Sequence, residues 1–299
     1  MSVIVPTRDR PEQLARCLAS LRAALQRGDE LIVVDSASVN AEAVQGVANE
    51  HADRVVRVDV PGVDRARNAG WRAASYDLIL FTDDDVAVDA GWADGLARTL
   101  AAHADAGFVT GRIDKPDGPS PTWRDVALKR DPDPQVFGRR DVVNLGHGAS
   151  LAVRRTALES VRGFDEALGA GGHFRAAPEV DLFDRLLKAG WAGRYEPASL
   201  AFHEQWRAID EIVELDFRYG VGNGARLAKL VRADPVRALL AWRVALWGDG
   251  LVPAVSAFRM GARKLAKAAL LRVLGTIVGF ARGLVTPVVD GHYRLRSDA

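Results

Sequence analysis

Cysteine is nearly missing: Cys17 is the only one in 299 residues. No intrachain disulfide is therefore available, and the chain fits a reducing compartment. Lying within an apolar helical pattern, Cys17 reads as a core residue. Also missing is any run of about 18 uncharged apolar residues, so a spanning helix is not expected. No secretory leader is expected either, because Ser2-Val3-Ile4-Val5 already reads as a strand and Arg8 and Arg10 follow at once. Net charge is small, since 40 Lys and Arg against 39 Asp and Glu leave +1. That balance hides an asymmetry. From Val236 onward ten basic residues face three acids, +7, which leaves −6 for everything before it. A mildly acidic front and a basic tail imply different surroundings for the two parts.

What is present is a strand–helix alternation. Ser2–Val5 is an apolar strand stopped by Pro6, and Pro11 opens a helix with Leu14, Cys17, Leu18, Leu21 and Leu25 at helical spacing. Further strands are expected at Leu31–Val34, Val55–Val60, Leu78–Thr82 and near Phe108–Thr110. Helices fall at Ala41–Glu50, Val63–Ala74 and Ala90–Ala102. This rhythm implies an α/β fold, a doubly wound and mostly parallel sheet with helices on both faces. From Asp114 to Arg140 regularity fails, with Pro116, Pro119, Pro121, Pro132 and Pro134 in one segment. Extended character resumes over Val142–Val153 around Gly146-His147-Gly148, and a short helix starts at Thr156. Asp181–Ala189 reads as an amphipathic helix closed by Gly190, and Gly193–Glu196 as a strand ahead of His203. Beyond Ile209 the chain reads as helical throughout.

The chemistry concentrates at strand ends. Leu78-Ile-Leu-Phe-Thr-Asp-Asp-Asp85 is an apolar run that stops in three adjacent carboxylates. Such a cluster repels itself and loses hydration together, and a hard divalent cation removes the conflict. At the C-terminal edge of a strand in an open α/β sheet, it suggests a metal-assisted phosphate site; otherwise it is a solvated turn. Asp35, also at a strand end, either accepts from a base or ribose or caps the following turn. Arg65 and Arg67 open a helix near the same edge, where a guanidinium can pair with phosphate.

The motifs resemble a known family. Ser-Val-Ile-Val-Pro-Thr at 2–7, Val-Val-Asp-Ser at 33–36, Ala-Arg-Asn-Ala-Gly at 66–70 and Phe-Thr-Asp-Asp-Asp at 81–85 are similar to family 2 glycosyltransferases. Ala-Val-Arg-Arg at 152–155, Gly-Phe-Asp-Glu at 163–166, Glu-Val-Asp-Leu at 179–182 and Tyr-Glu-Pro…His at 195–203 continue the likeness in order. The resemblance implies a GT-A fold and inverting transfer from nucleotide diphosphate sugars. It assigns Thr7, Asp35, Arg67, Asp83 and Asp84 to nucleotide binding and Asp85 and His203 to a Mg2+ or Mn2+ ion. Glu179 matches the catalytic base, with Asp181 as a second acid two residues on. Charge at a helix N-terminus accounts for Asp181 equally well. The usual Glu-Asp pair is Pro178-Glu179 here, so a longer acid stands at the base position. The Gln-x-x-Arg-Trp motif of polymerising members is missing, Gln205-Trp206-Arg207 being only superficially similar, and transfer of a single sugar is expected. Gly169–Gly172 with His173 and Phe174 looks like a mobile acceptor loop.

The expected organisation is a nucleotide-sugar-binding half over 1–111, an acceptor-binding and catalytic half over 112–206, and a basic helical extension over 207–299. Arg243, Arg259, Arg263, Lys264 and Lys267 beside Trp242 and Trp247 suit a membrane interface, or a subdomain packed on the core or a second subunit. A basic groove interleaved with aromatics is lacking, so nucleic acid is not expected. The resulting expectation is a cytoplasmic enzyme, peripheral at the inner face of the plasma membrane, acting on a glycan or lipid-linked acceptor of polysaccharide biosynthesis. The rivals are a nucleotidyltransferase, which lacks its Gly-rich phosphate signature here, and a catalytically dead nucleotide-sugar-binding protein.

Overall fold

A computed structural model describes residues 1–116, 127–205 and 209–295. Pro119, Pro121, Trp206 and Arg207 lie outside the described residues. In chain order the elements are β1 (Ser2–Thr7), α1 (Pro11–Ala24), β2 (Glu30–Ser36), α2 (Ala41–His51), β3 (Arg54–Val58), α3 (Val63–Ala73), β4 (Leu78–Phe81), β5 (Val86–Val88), α4 (Trp92–Ala102) and β6 (Ala106–Asp114). Then come β7 (Gln135–Phe137), β8 (Leu151–Arg154), α5 (Arg155–Ser160), α6 (Pro178–Lys188) and β9 (Ala192–His203). The last part holds α7 (Ile209–Ala233), α8 (Pro235–Arg243), a π-helical segment (Val244–Leu251), α9 (Val252–Arg259), α10 (Arg263–Val285), β10 (Val288–Val289) and β11 (His292–Tyr293).

The main sheet runs β3-β2-β1-β4-β8-β6-β9-β5, with β7 alongside β9. The pairs β1–β2, β1–β4, β2–β3 and β6–β9 are parallel; β8 is antiparallel to both its neighbours, and β5 and β7 are antiparallel to β9. Alternation along each strand feeds two cores. Val3, Val5, Leu31, Val33 and Leu80 pack with α1, α2 and α4 on one face. Ile4, Ile32, Val34, Ile79 and Phe81 pack with α3, α5 and α6 on the other. Strands buried on both faces read as continuous apolar runs, which is why β1, β2 and β4 were legible. Cys17 is buried in the first core, and its thiol is pushed well up by burial.

Several expectations need correction. Over 142–153 only Leu151–Arg154 is a strand; His147–Ser150 is a turn closed by Ser150 N donating to His147 O at 3.2 Å, next to Gly146 at φ +117°. The strand expected at 193–196 extends to His203, because β9 serves β6, β7 and β5 in turn. Residues 135–137 of the segment expected to be irregular form β7. Helix does not run to the end: Asp290 and Gly291, both at positive φ, turn the β10–β11 hairpin.

The tail also departs from the no-span expectation. Residues 235–259 and 263–285 are each long and apolar enough, by length and composition, to cross a membrane. Basic residues crowd at Arg259, Arg263, Lys264 and Lys267, which leaves nearly uncharged windows on either side. In those windows only 28% and 33% of residues are buried. Helices α7 and α10 approach closely and in the same direction: a Cβ at Gly220 would lie 2.2 Å from Arg272 O, and one at Gly279 2.0 Å from Val221 O. Glycine is required where backbones touch in this way.

Candidate active site

The acidic triplet sits directly after β4, beside the C-terminal ends of β1 and β2. Each carboxylate has its own partners. Asp83 accepts from Arg67 Nη2 at 2.9 Å. Asp84 accepts from Thr7 Oγ1 at 2.8 Å and from Arg10 Nη1 at 3.1 Å. Burial pushes the Asp84 carboxyl up to about 6, with Arg10 opposing and Asp85 adding to the rise. Asp85 has Arg10 Nη1 at 3.4 Å from one oxygen and His203 Nε2 at 3.6 Å from the other. Strand pairing brings that imidazole in: His203 pairs with Val86 across β9 and β5, and Glu204 N donates to Asp85 O at 3.0 Å. The Gln205 amide lies 3.2 Å from His203 Nδ1 and orients the ring.

Asp35 shows one of the two roles foreseen for it, the turn cap. It accepts from Ser38 N at 2.9 Å, capping the turn, and is ion-paired to Arg57 on β3. Asp59, by contrast, is exposed and lies 3.7 Å from Arg57. Arg65 turns to Glu166 at 3.3 Å.

Arg67 is the buried hub. Its guanidinium is 4% exposed, lies over the Phe164 ring at 5.4 Å and reaches Asp64 at 3.4 Å as well as Asp83. Burial holds the Asp64 carboxyl well above the usual carboxylate range, with Arg67 opposing. The next residue, Asn68, donates to Phe164 O and Glu166 and accepts from Trp71 Nε1 and Phe164 N. Asn68 therefore ties the Ala-Arg-Asn-Ala-Gly helix to the Gly-Phe-Asp-Glu turn, two motifs nearly a hundred residues apart. On the far side of Arg67 lies Gly148, where a Cβ would be 2.8 Å from Nη2. Only glycine lets the main chain approach the guanidinium that closely.

His147, the preceding residue, reaches the other acid. Its Nδ1 lies 3.9 Å from Glu179 Oε1. Glu179 occupies the first turn of α6, after Ala177 in left-handed conformation (φ 63°). Burial raises the Glu179 carboxyl, but the neighbouring His147 imidazole and the charge of Arg67 outweigh it and leave it below the usual range. A short path of contacts thus runs from Asp83 through Arg67, Gly148 and His147 to Glu179. Asp181 takes a different course: it is 2.8 Å from Arg185 and 2.6 Å from Lys229, buried against α7.

The donor set suits a hard cation shared with a phosphate ligand. Asp85 and His203 are within the span of two ligands on one octahedral ion, each about 2.0–2.1 Å from the metal. Among the described residues no three His, Cys, Asp or Glu side chains close a full metal cage. Mg2+ and its analogues are commonly held by one or two protein groups, with diphosphate oxygens and water completing the shell. The residues fit such a metal.

The sequence profile of glycosyl transferase family 2 matches residues 2–162. The chain belongs to glycosyl transferase family 2. A pre-mycofactocin glycosyltransferase of Mycobacterium tuberculosis is 29% identical over an alignment of 267 residues that covers 84% of this chain and 53% of the relative. The chain spans about half the length of that curated relative. An N-acetylglucosaminyl-diphospho-decaprenol L-rhamnosyltransferase of the same organism is 43% identical over 58 residues, 19% of this chain and 17% of the relative. Among solved structures, the mannosyltransferase PcManGT of Pyrobaculum calidifontis, in complex with GDP-Man and Mn2+, superposes with a TM-score of 0.62 at 19% identity, covering 95% of this chain and 86% of that one. S. aureus TarS in complex with UDP gives 0.55 at 14% identity, covering 99% and 96%. These neighbours share the GT-A fold expected for the family.

Arg10, His147 and Gly148 were missed as site residues. Arg10 had only a charge to recommend it, because its partners lie more than 70 positions away. Gly-His-Gly at 146–148 did carry a signal: two glycines around a polar residue mark a main chain that must approach something closely.

Proposed function

We propose that the protein is a metal-dependent inverting glycosyltransferase that moves one sugar from a nucleotide diphosphate sugar to a hydroxyl of a glycan or lipid-linked acceptor. The observation that carries this reading is the contact path joining the acidic triplet to Glu179. It makes a donor-side anion site and a low-pKa carboxylate parts of one arrangement. Support for the donor class and the divalent metal comes from PcManGT, whose structure holds GDP-Man and Mn2+.

In this reading Thr7, Asp35, Arg67, Asp83 and Asp84 orient the nucleotide, and Asp85 with His203 would hold Mg2+ or Mn2+. When bound, that ion supplies positive charge for the departing diphosphate. Glu179 takes the proton of the acceptor hydroxyl as its oxygen bonds to the anomeric carbon and the bond to the diphosphate oxygen breaks. A carboxylate kept below its usual pKa is ionised and ready near neutrality. Residues 1–111 would bind the donor, 112–206 the acceptor, and 207–299 would brace the catalytic half.

The tail adds a peripheral membrane contact to the proposal, at the inner face of the plasma membrane. Trp247, Val252, Phe258, Met260 and Leu270 are all more than half exposed on α8–α10, next to the basic group at 259–267. Exposed apolar surface beside clustered cations suits an anionic bilayer.

The test is Glu179→Gln, assayed for nucleoside diphosphate release and, separately, for thermal stabilisation by UDP or GDP with Mn2+. The expected result is a rate loss of about 10²–10⁴-fold with stabilisation intact. Unchanged activity in the variant would refute the assignment of the base, and a wild-type protein that is stabilised but never turns over would instead be a binding protein.

A further inference from the structure

Arg10 stands where two functions compete. Its Nη1 lies 3.1 Å from Asp84 Oδ1 and 3.4 Å from Asp85 Oδ2, and the side chain is 31% exposed while both carboxylates are nearly buried. The residue immediately precedes Pro11 at the start of α1, and its side chain makes no capping bond to that helix. The guanidinium therefore covers a buried anion pair from the open side. Asp85 is the carboxylate that the metal reading needs, and its other oxygen already faces His203.

A dication on Asp85 and a guanidinium on the same carboxylate repel strongly at such distances. Metal entry thus favours departure of Arg10 from Asp85, and departure is easiest when another anion is within reach of its flexible stem. The diphosphate of a nucleotide donor is that anion, and a guanidinium pairs with it well.

We propose that Arg10 is an exchangeable counterion: it neutralises Asp84 and Asp85 before metal arrives, then moves to the donor diphosphate, so that metal and nucleotide favour each other's binding. Arg10 is a donor-binding residue in this scheme. The inference rests on the metal reading of Asp85 given above. By linkage, each ligand then tightens the other by the same factor.

The experiment measures Mn2+ binding by the paramagnetic resonance of free Mn2+, with and without UDP or GDP, for the wild-type protein, Arg10→Gln, Arg10→Lys and Asp85→Asn. Arg10→Gln should bind Mn2+ alone at least about fivefold more tightly, and the gain in Mn2+ affinity produced by nucleotide should shrink by a similar factor. Arg10→Lys, which keeps the charge, should stay closer to wild type. If Arg10→Gln leaves Mn2+ affinity unchanged or weakens it while Asp85→Asn abolishes binding, the exchange is refuted and the metal site stands. If Asp85→Asn binds Mn2+ as the wild type does, the metal reading of Asp85 falls and the exchange falls with it.

Discussion

Removing one carboxylate from helix α6 should unsettle its packing against α7 and α8. Asp184 is 7% exposed and accepts from Arg226 Nε at 2.6 Å and Nη2 at 3.2 Å, and from Arg237 Nη2 at 2.8 Å. The two guanidinia are themselves 6% and 4% exposed. Asp184→Asn keeps the shape and removes the charge, leaving both cations buried without their counterion. Breaking a buried ion pair from one side costs about 3–5 kcal/mol. Two cations do not double that figure, because each retains other partners: Arg226 reaches Asn223 and Val142 O, and Arg237 reaches Asp141 O at 2.7 Å. At about 2–4 °C per kcal/mol for a domain this large, the melting temperature should fall by roughly 6–20 °C. The control is Asp210→Asn, which breaks the 2.7 Å pair with Lys264, whose side chains are 78% and 59% exposed. An exposed pair contributes no more than about 1 kcal/mol. Differential scanning fluorimetry of the two variants decides the matter. Equal, small shifts would refute the claim that burial, rather than the mere count of ion pairs, sets the contribution.

Two further outcomes follow from the same geometry. Burial raises Glu179 while His147 and Arg67 lower it below the usual range, so His147→Gln leaves burial less opposed, and the acid limb of kcat/KM should move to higher pH; an unmoved limb would remove His147 from the site. The stability linked to this depressed carboxylate is present above its unfolded pKa and lost as pH falls through the folded one, so that contribution should also shrink in the variant. At the tail, Trp247 and Phe258 are 58% and 73% exposed, and Trp247→Ser with Phe258→Ser should leave folding intact while lowering sedimentation with phosphatidylglycerol vesicles by tenfold or more, at about 1.5–3 kcal/mol per large apolar side chain buried. Vesicle binding equal to that of the wild type, or none by either protein, would end the membrane proposal.

Much of the fold over residues 1–111 was legible because its signals are local. Strands β1, β2 and β4 are apolar runs, although β1 continues through Pro6 to Thr7 and β2 through Asp35 to Ser36, and α1 keeps Leu14, Cys17, Leu18 and Leu21 on one buried face. Strand β5 was hidden, since three residues after an acid cluster carry no period of their own and are strand only because β9 offers an edge. The same holds for β7. Glu179 stands out through motif order rather than local chemistry, while its neighbour His147 is brought to it by tertiary contact. The tail was half legible. Its basic, apolar character is plain, but the concentration of charge at 259–267, which leaves the flanking windows nearly uncharged, does not show in a search for wholly uncharged runs.

Helix α6 explains why the extension is more than an appendage. Its first turn carries Glu179, and its opposite flank carries Asp181 and Asp184, which face cations from beyond residue 209. Lys229 on α7 lies 2.6 Å from Asp181 and 2.7 Å from Asp165, and Arg226 and Arg237 meet at Asp184. Tyr293 N on the final hairpin donates to the same Asp165 carboxylate at 3.0 Å. A sequence gives no hint of this pairing, because Asp181 taken alone is an ordinary helix-start charge and the cations come from far along the chain. Together they leave α6 with two classes of carboxylate. Those saturated by buried cations are spent on position, and Asp181 is among them. The one whose partners are a half-exposed imidazole and a guanidinium not in direct contact can still exchange a proton, and that one is Glu179. The extension thus separates the two acids of the Glu-Val-Asp motif: Asp181 is fixed by buried cations, and Glu179, the base proposed above, is not.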